Sequence, residues 1–96
     1  MKIITVCGMG IGTSILLKMN ADRALERLGL TGDVEAVDLG AARGAAAGAD
    51  LILTSAEVAD ALVDVPAQVR VVHDFMDIDE ICRAITQAPD LRTAGG

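Results

Sequence analysis

An apolar, β-branched run that closes on a thiol opens this chain: Ile3-Ile4-Thr5-Val6-Cys7, followed at once by Gly8-Met9-Gly10-Ile11-Gly12-Thr13-Ser14. Few structures accommodate that order of residues. The run reads as a strand buried on both faces, the glycines as a tight turn, and the hydroxyl pair as the opening of a helix. That succession sets a sulfur beside a cup of backbone N–H groups, an arrangement suited to holding an anion.

The rest of the chain alternates in the same way. Lys2 to Val6 is the first strand and Gly8 to Gly12 the loop. From Thr13 to Leu28 the spacing is helical, with Leu17, Ala21, Ala24, Leu25 and Leu28 on one face. Lys18, Asp22, Arg23, Glu26 and Arg27 form the solvated face, and Gly29 supplies a stop. Asp33 to Leu39 reads as the second strand, Ala41 to Ala47 as a short helix weakened by Gly44, and Leu51 to Thr54 as the third strand. Thr54-Ser55-Ala56-Glu57 matches a capping box for a brief helix through Leu62.

Pro66 interrupts the chain before the fourth strand, Val69 to Val72. Asp77 opens a last helix, with Glu80 as its reciprocal cap and Ile78, Ile81, Cys82 and Ile85 as its buried stripe. Pro89 marks its exit, so residues 1–90 form the domain and 91–96 a frayed tail. Strands separated by helices imply a four-stranded parallel sheet with right-handed crossovers and helices on both faces. Ligands of such sheets bind beyond the carboxyl ends of the strands, where strand order reverses. Cys7 falls there.

Composition narrows the function. Ninety-six residues support one core, and with a single aromatic, Phe75, that core is aliphatic and alanine-rich. A net charge of −6 argues against nucleic-acid binding and permits a partner with a basic face. Two cysteines without a signal-peptide pattern suggest a reducing, cytoplasmic setting, and no apolar run is long enough to span a bilayer. No His/Cys/Asp cluster has metal-ligand spacing, and the chemistry below calls for no cofactor.

Four designs use a glycine loop of this kind. A nucleoside-triphosphate P-loop needs a lysine after its last glycine, whereas Thr13 follows Gly12 here. A dinucleotide fingerprint is approximated by Gly8-Met9-Gly10-Ile11-Gly12-Thr13, with Asp38 resembling the ribose-binding acid, but it needs a longer chain and leaves the cysteine without a role. A phosphatase loop, Cys-x5-Arg-Ser/Thr, has the right spacing, but Thr13 stands where the arginine should be, followed by Ser14. That guanidinium binds phosphate bidentately and stabilises the transferring group, so hydrolysis should be poor without it.

The fourth design fits best. The sequence resembles the cysteine-phosphorylated IIB components of the bacterial phosphoenolpyruvate-dependent sugar phosphotransferase system, in the lactose/cellobiose-like superfamily. It is most similar to the ascorbate-type branch, then to the galactitol-type. The likeness runs through the opening Ile-Thr-Val-Cys-Gly-Met-Gly-Ile-Gly-Thr-Ser, then Leu16-Leu17-Lys18-Met19, and the Gly48-Ala49-Asp50-Leu51-Ile52 entry to the third strand. It implies a Rossmann-like or flavodoxin-like sandwich with strand order 2-1-3-4. It also implies that Cys7 accepts a phosphoryl group from a histidine of a IIA protein and passes it to a sugar held by the membrane-embedded IIC permease. Gly8, Met9, Gly10, Ile11, Gly12, Thr13 and Ser14 would form the phosphate-binding loop. The protein would then be cytoplasmic, with transient visits to the inner face of the membrane. A regulatory domain of the same fold and a low-molecular-weight phosphatase-like enzyme stay open as alternatives.

The chemistry suits those residues. A thiolate is the nucleophile, and an ordinary thiol, with a pKa of about 8.5, is mostly protonated at neutral pH. The positive end of a helix and convergent N–H groups favour the anion and can then cradle phosphoryl oxygens. This requires Cys7 to face an anion pocket open to solvent; taken alone, a cysteine is more often a buried small hydrophobe. Cys82, on an apolar stripe, is assigned to core packing, and the two lack the Cys-x-x-Cys spacing of a redox pair. His73 reads as a strand-end or interface residue beside Asp74, and Ser55 as a cap near the proposed site. A carrier must not lose its cargo to water, and the absence of a loop arginine serves that end. Thr13→Arg should therefore shorten the lifetime of a phosphocysteine at Cys7; an unchanged lifetime refutes the argument.

Overall fold

The computed structural model describes residues 1–7, 11–62 and 64–86, with side chains left aside at 11–14. The elements run β1 (Lys2–Val6), α1 (Ile11–Leu28), β2 (Asp33–Val37), α2 (Leu39–Ala46), β3 (Leu51–Thr54), α3 (Ala56–Ala59), a 3-10 turn (Asp60–Leu62), β4 (Gln68–Val71) and α4 (Ile78–Thr86). All strand pairs are parallel and the order is β2-β1-β3-β4, as the resemblance implied.

Alternation along β1 divides the core into two layers. Ile3 joins Leu17, Ala21, Ala24 and Leu25 of α1 and Ile81, Cys82 and Ile85 of α4 on one side of the sheet. Ile4 and Val6 join Ala42 and Ala46 of α2 and Val58 and Leu62 of the α3 segment on the other. Alanines let the backbones of α1 and α2 lie close to the sheet, so a core almost without rings still fills its space. Every residue from Ile3 to Val6 and from Leu51 to Thr54 is fully buried. That burial on both faces explains why these two strands are continuous apolar runs rather than alternating ones.

Local chemistry sets where the elements stop. Gly29, at φ +70°, ends α1: its N–H donates to the Glu26 carbonyl (3.1 Å) and that of Leu30 to the Leu25 carbonyl (3.0 Å). This pairing satisfies two carbonyls that the helix itself leaves unpaired. β2 is two residues shorter than its sequence suggests, because Asp38 leaves the sheet to cap α2, its carboxylate accepting from the Ala41 N–H at 2.8 Å. That cap also disposes of the resemblance of Asp38 to a ribose-binding acid. α1 starts at Ile11 rather than Thr13, so Ile11 and Gly12 belong to its first turn and not to the loop. A glycine is tolerated there because first-turn N–H groups lack intrahelical partners in any case.

Both capping boxes read from the sequence are corrected. Ser55, not Thr54, is the N-cap of α3, and it makes no side-chain cap bond. The Thr54 hydroxyl donates instead to the Val6 carbonyl at 2.8 Å, inside the sheet. Asp77 does accept from the Glu80 N–H at 3.2 Å, but the Glu80 carboxylate does not reach back to the cap; it turns to the preceding loop. The expected exit at Pro89 and the tail 91–96 lie outside the described residues. At Gly29 a Cβ meets no neighbour, so only the left-handed backbone is strained. Gly29→Ala should thus destabilise the domain by about 1 kcal/mol, read as a lower urea midpoint with an unchanged slope.

Candidate functional site

Because the four strands are parallel, the segments that follow them share one edge of the sheet. Cys7 follows β1; Asp38 follows β2; Ser55 follows β3; Val72, His73 and Asp74 follow β4. Strand order reverses at β1, whose neighbours are β2 on one side and β3 on the other. The sequence-derived position of Cys7, at the switch point of a doubly wound sheet, is where the structure has it.

The register ties this edge together. Val6 lies opposite Thr54, and Thr54 opposite Val71. Cys7, Ser55 and Val72 therefore occupy the next row. Two hydrogen bonds brace the row below: Thr54 Oγ1 to the Val6 carbonyl and the Val72 N–H to the Thr54 carbonyl, both 2.8 Å. The peptide bearing Cys7 is thereby held from the β3 side.

Cys7 is 3% exposed, so the expectation of a sulfur open to solvent is not met by the residue as it stands. Its burial follows from its place in the middle of the sheet edge, one step beyond a fully buried strand. Gly8, Met9 and Gly10, which were expected to complete the pocket, lie outside the described residues. Ile11, Gly12, Thr13 and Ser14 contribute the backbone of the first turn of α1. The N–H groups of that turn have no partners within the helix, and they are the donors an anion placed there would meet. Neither cysteine is in a disulfide. Cys82 packs in the core with its sulfur 3.8 Å from the Ala24 carbonyl, as its stripe position suggested.

At the β4 end the structure adds what the sequence did not disclose. Glu80, one turn into α4, turns its carboxylate to the loop before its helix. One oxygen accepts from the His73 N–H (2.8 Å) and lies 2.9 Å from His73 Nδ1; the other accepts from the Asp74 N–H (3.0 Å). The partner of His73 is thus Glu80 and not the adjacent Asp74. Asn20 is the second addition. It is buried on the same side of α1 as Leu17 and Ala24, and its amide donates to the Phe75 carbonyl at 2.6 Å. A polar residue interrupting an apolar stripe was the available signal. Glu80 gave none, since a glutamate three residues after an aspartate reads first as a cap.

A depression of about 370 Å³ lined by Asp22, Leu25, Glu26, Leu30, Thr31 and Gly32 lies at the far end of α1 and contains neither cysteine nor histidine. Among the described residues no three His, Cys, Asp or Glu side chains gather as metal ligands. No described helix is long and apolar enough to cross a membrane.

Burial acts to raise the Glu80 carboxyl, but the N–H bonds from His73 and Asp74, with the His73 ring, outweigh it and hold the group below the usual glutamate range. A depressed folded value means stability that is present above the ordinary value of 4.5 and lost as pH falls through the folded one. Glu80→Gln should flatten that acid limb of the stability curve, measured by urea unfolding from about pH 3 to 5.

Comparison with known proteins agrees with this architecture. The family model "PTS system, Lactose/Cellobiose specific IIB subunit" matches residues 2–87. A Mycoplasma pneumoniae protein named "Ascorbate-specific PTS system EIIB component" is 33% identical over 88 residues, 91% of this chain and 93% of that protein. Among solved structures, the lactose-specific IIB domain of Streptococcus pneumoniae superposes with a TM-score of 0.60 at 16% identity, covering 98% of this chain and 95% of that one. A low-molecular-weight protein tyrosine phosphatase of Bacillus subtilis superposes at 0.57 with 16% identity, over 95% and 91%. At that identity the two structures speak to the fold alone. The family match spans nearly the whole chain, and the protein belongs to the lactose/cellobiose-type IIB components, the phosphotransferases of the sugar phosphotransferase system.

Proposed function

We propose that this IIB domain carries a phosphoryl group on Cys7, received from a phosphohistidine of a IIA protein and delivered to a sugar held by a IIC permease. L-ascorbate is the favoured sugar, on the strength of the Mycoplasma pneumoniae relative; a galactitol-type specificity is the alternative. The observation that carries the proposal is the place of Cys7: directly after the central strand, at the strand-order switch, ahead of the first turn of α1.

In the first step the Cys7 thiolate attacks phosphorus in line, the S–P bond forms and the P–N bond to the donor histidine breaks. The N–H groups at the start of α1 neutralise part of the charge on the phosphoryl oxygens. In the second step a sugar hydroxyl attacks phosphorus, the O–P bond forms and the S–P bond breaks, and the hydroxyl proton passes to the departing sulfur or to solvent. Both steps need a partner that uncovers a residue only 3% exposed. Ile15 and Met19, one turn apart near the start of α1 and 44% and 50% exposed, offer apolar surface for such docking. Docking against proteins of the cytoplasm and the inner membrane face would place the domain in the cytoplasm.

Incubation with phosphoenolpyruvate, the general phosphotransferase proteins and the cognate IIA should add one phosphoryl group, seen by intact-protein mass spectrometry at neutral pH. The adduct should persist in Cys82→Ser and vanish in Cys7→Ser. Spontaneous turnover of an aryl phosphate, with no adduct from IIA, would favour the phosphatase-like alternative and overturn the proposal.

A further inference from the structure

The Glu80 carboxylate is not explained by helix capping or by the core. Its side chain is 18% exposed, and it spends both oxygens on a turn at the functional edge of the sheet. The His73 side chain it holds is 79% exposed. An imidazole so open to water is ordinarily free to rotate; here it is fixed by a contact at 2.9 Å. A carboxylate can only accept, so Nδ1 carries a proton, and in the neutral form of the ring Nε2 is the bare nitrogen presented to solvent.

Position gives that ring a use. Two strand spacings separate β1 from β4, so the row holding Val72 stands about 10 Å from Cys7. A specific protein interface covers about 800 Å² on each partner, a disc of about 16 Å radius. A donor whose phosphohistidine reaches Cys7 therefore also covers His73. The chain has a net charge of −6, and Asp74 sits beside His73, exposed. A basic donor face, rich in N–H groups, complements a rim that offers a carboxylate and an accepting ring nitrogen.

We propose that Glu80 is a positioning residue for phosphoryl transfer: it locks the 73–74 turn and the Nδ1–H tautomer of His73, so that Nε2 accepts a hydrogen bond from the docked phosphodonor. This rests on the phosphocarrier reading above, but one of its tests does not. His73 is the sole histidine, which makes its ring nitrogens individually visible by ¹⁵N NMR. At alkaline pH the free wild-type domain should show the Nδ1–H tautomer, and Glu80→Gln should shift it to the Nε2–H form that free imidazoles favour. A wild-type ring already in the Nε2–H form overturns the proposal, whatever Cys7 does.

The second test is single-turnover transfer from phosphorylated IIA at varied donor concentration. His73→Ala and Glu80→Gln should each raise the half-saturating donor concentration about three- to tenfold, the scale of one lost ordinary hydrogen bond. The maximal rate should stay within about twofold, and the double variant should be no worse than the single ones, as expected of residues acting as a unit. A fall in maximal rate at unchanged half-saturation would place His73 on the phosphoryl group rather than on the partner, against the proposal. A loss in Glu80→Gln that His73→Ala does not share would reduce the carboxylate to a purely structural clamp, again against it. Failure of wild-type Cys7 to take up phosphate would sink the phosphocarrier reading and leave the tautomer result to stand on its own.

Discussion

Enclosure of β1 is the constraint on which the molecule depends. It has a strand on each edge and a helical layer on each face, and its residues from Ile3 to Val6 see no solvent. A strand placed so can end only by rising out of the sheet, and the residue at which it emerges is Cys7. The reactivity proposed for that point would therefore be a property of the architecture. The sulfur inherits a rigid floor, braced by the Thr54 hydroxyl, and a helix that begins within four residues of it.

The two layers play different parts. The α1–α4 layer holds most of the long side chains and is stitched by Asn20 to the turn after β4. The α2–α3 layer is made of alanines and short helices, and its caps sit at the same edge as the cysteine. Hydrogen bonding gathers at the carboxyl end of the sheet, where Asp38, Thr54, Asp77 and Glu80 each satisfy backbone groups. Charge pairing occupies the opposite end as well, where Lys2 meets Asp33 and Glu35 on the surface. Exposed pairs of that kind contribute little.

Much of this was legible in the residues themselves. β1 and β3 have the limits their residues suggest, Lys2–Val6 and Leu51–Thr54, because burial on both faces makes each a nearly unbroken apolar run. The order of apolar run, glycines and helical pattern placed Cys7 at the carboxyl edge of the sheet, where it is found. β2 was overrun at its end because Val37-Asp38-Leu39 keeps the alternation of a strand while Asp38 has already become a cap. Thr54 and Glu80 were misread for a shared reason. Polar side chains near a helix start fit a local motif, and sequence carries no sign that a backbone group outside the motif will take them. Val6 takes Thr54, and the 73–74 turn takes Glu80.

The bond from Asn20 to the Phe75 carbonyl joins two parts that approach the cysteine from different directions. α1 begins four residues after the cysteine, and the loop after β4 carries the chain's one imidazole and one phenyl ring. Fastened together in a partly buried setting, they cannot slide past one another without rupturing that link. Helix and loop thus form a single stiff jaw, which a visiting protein must meet as one surface.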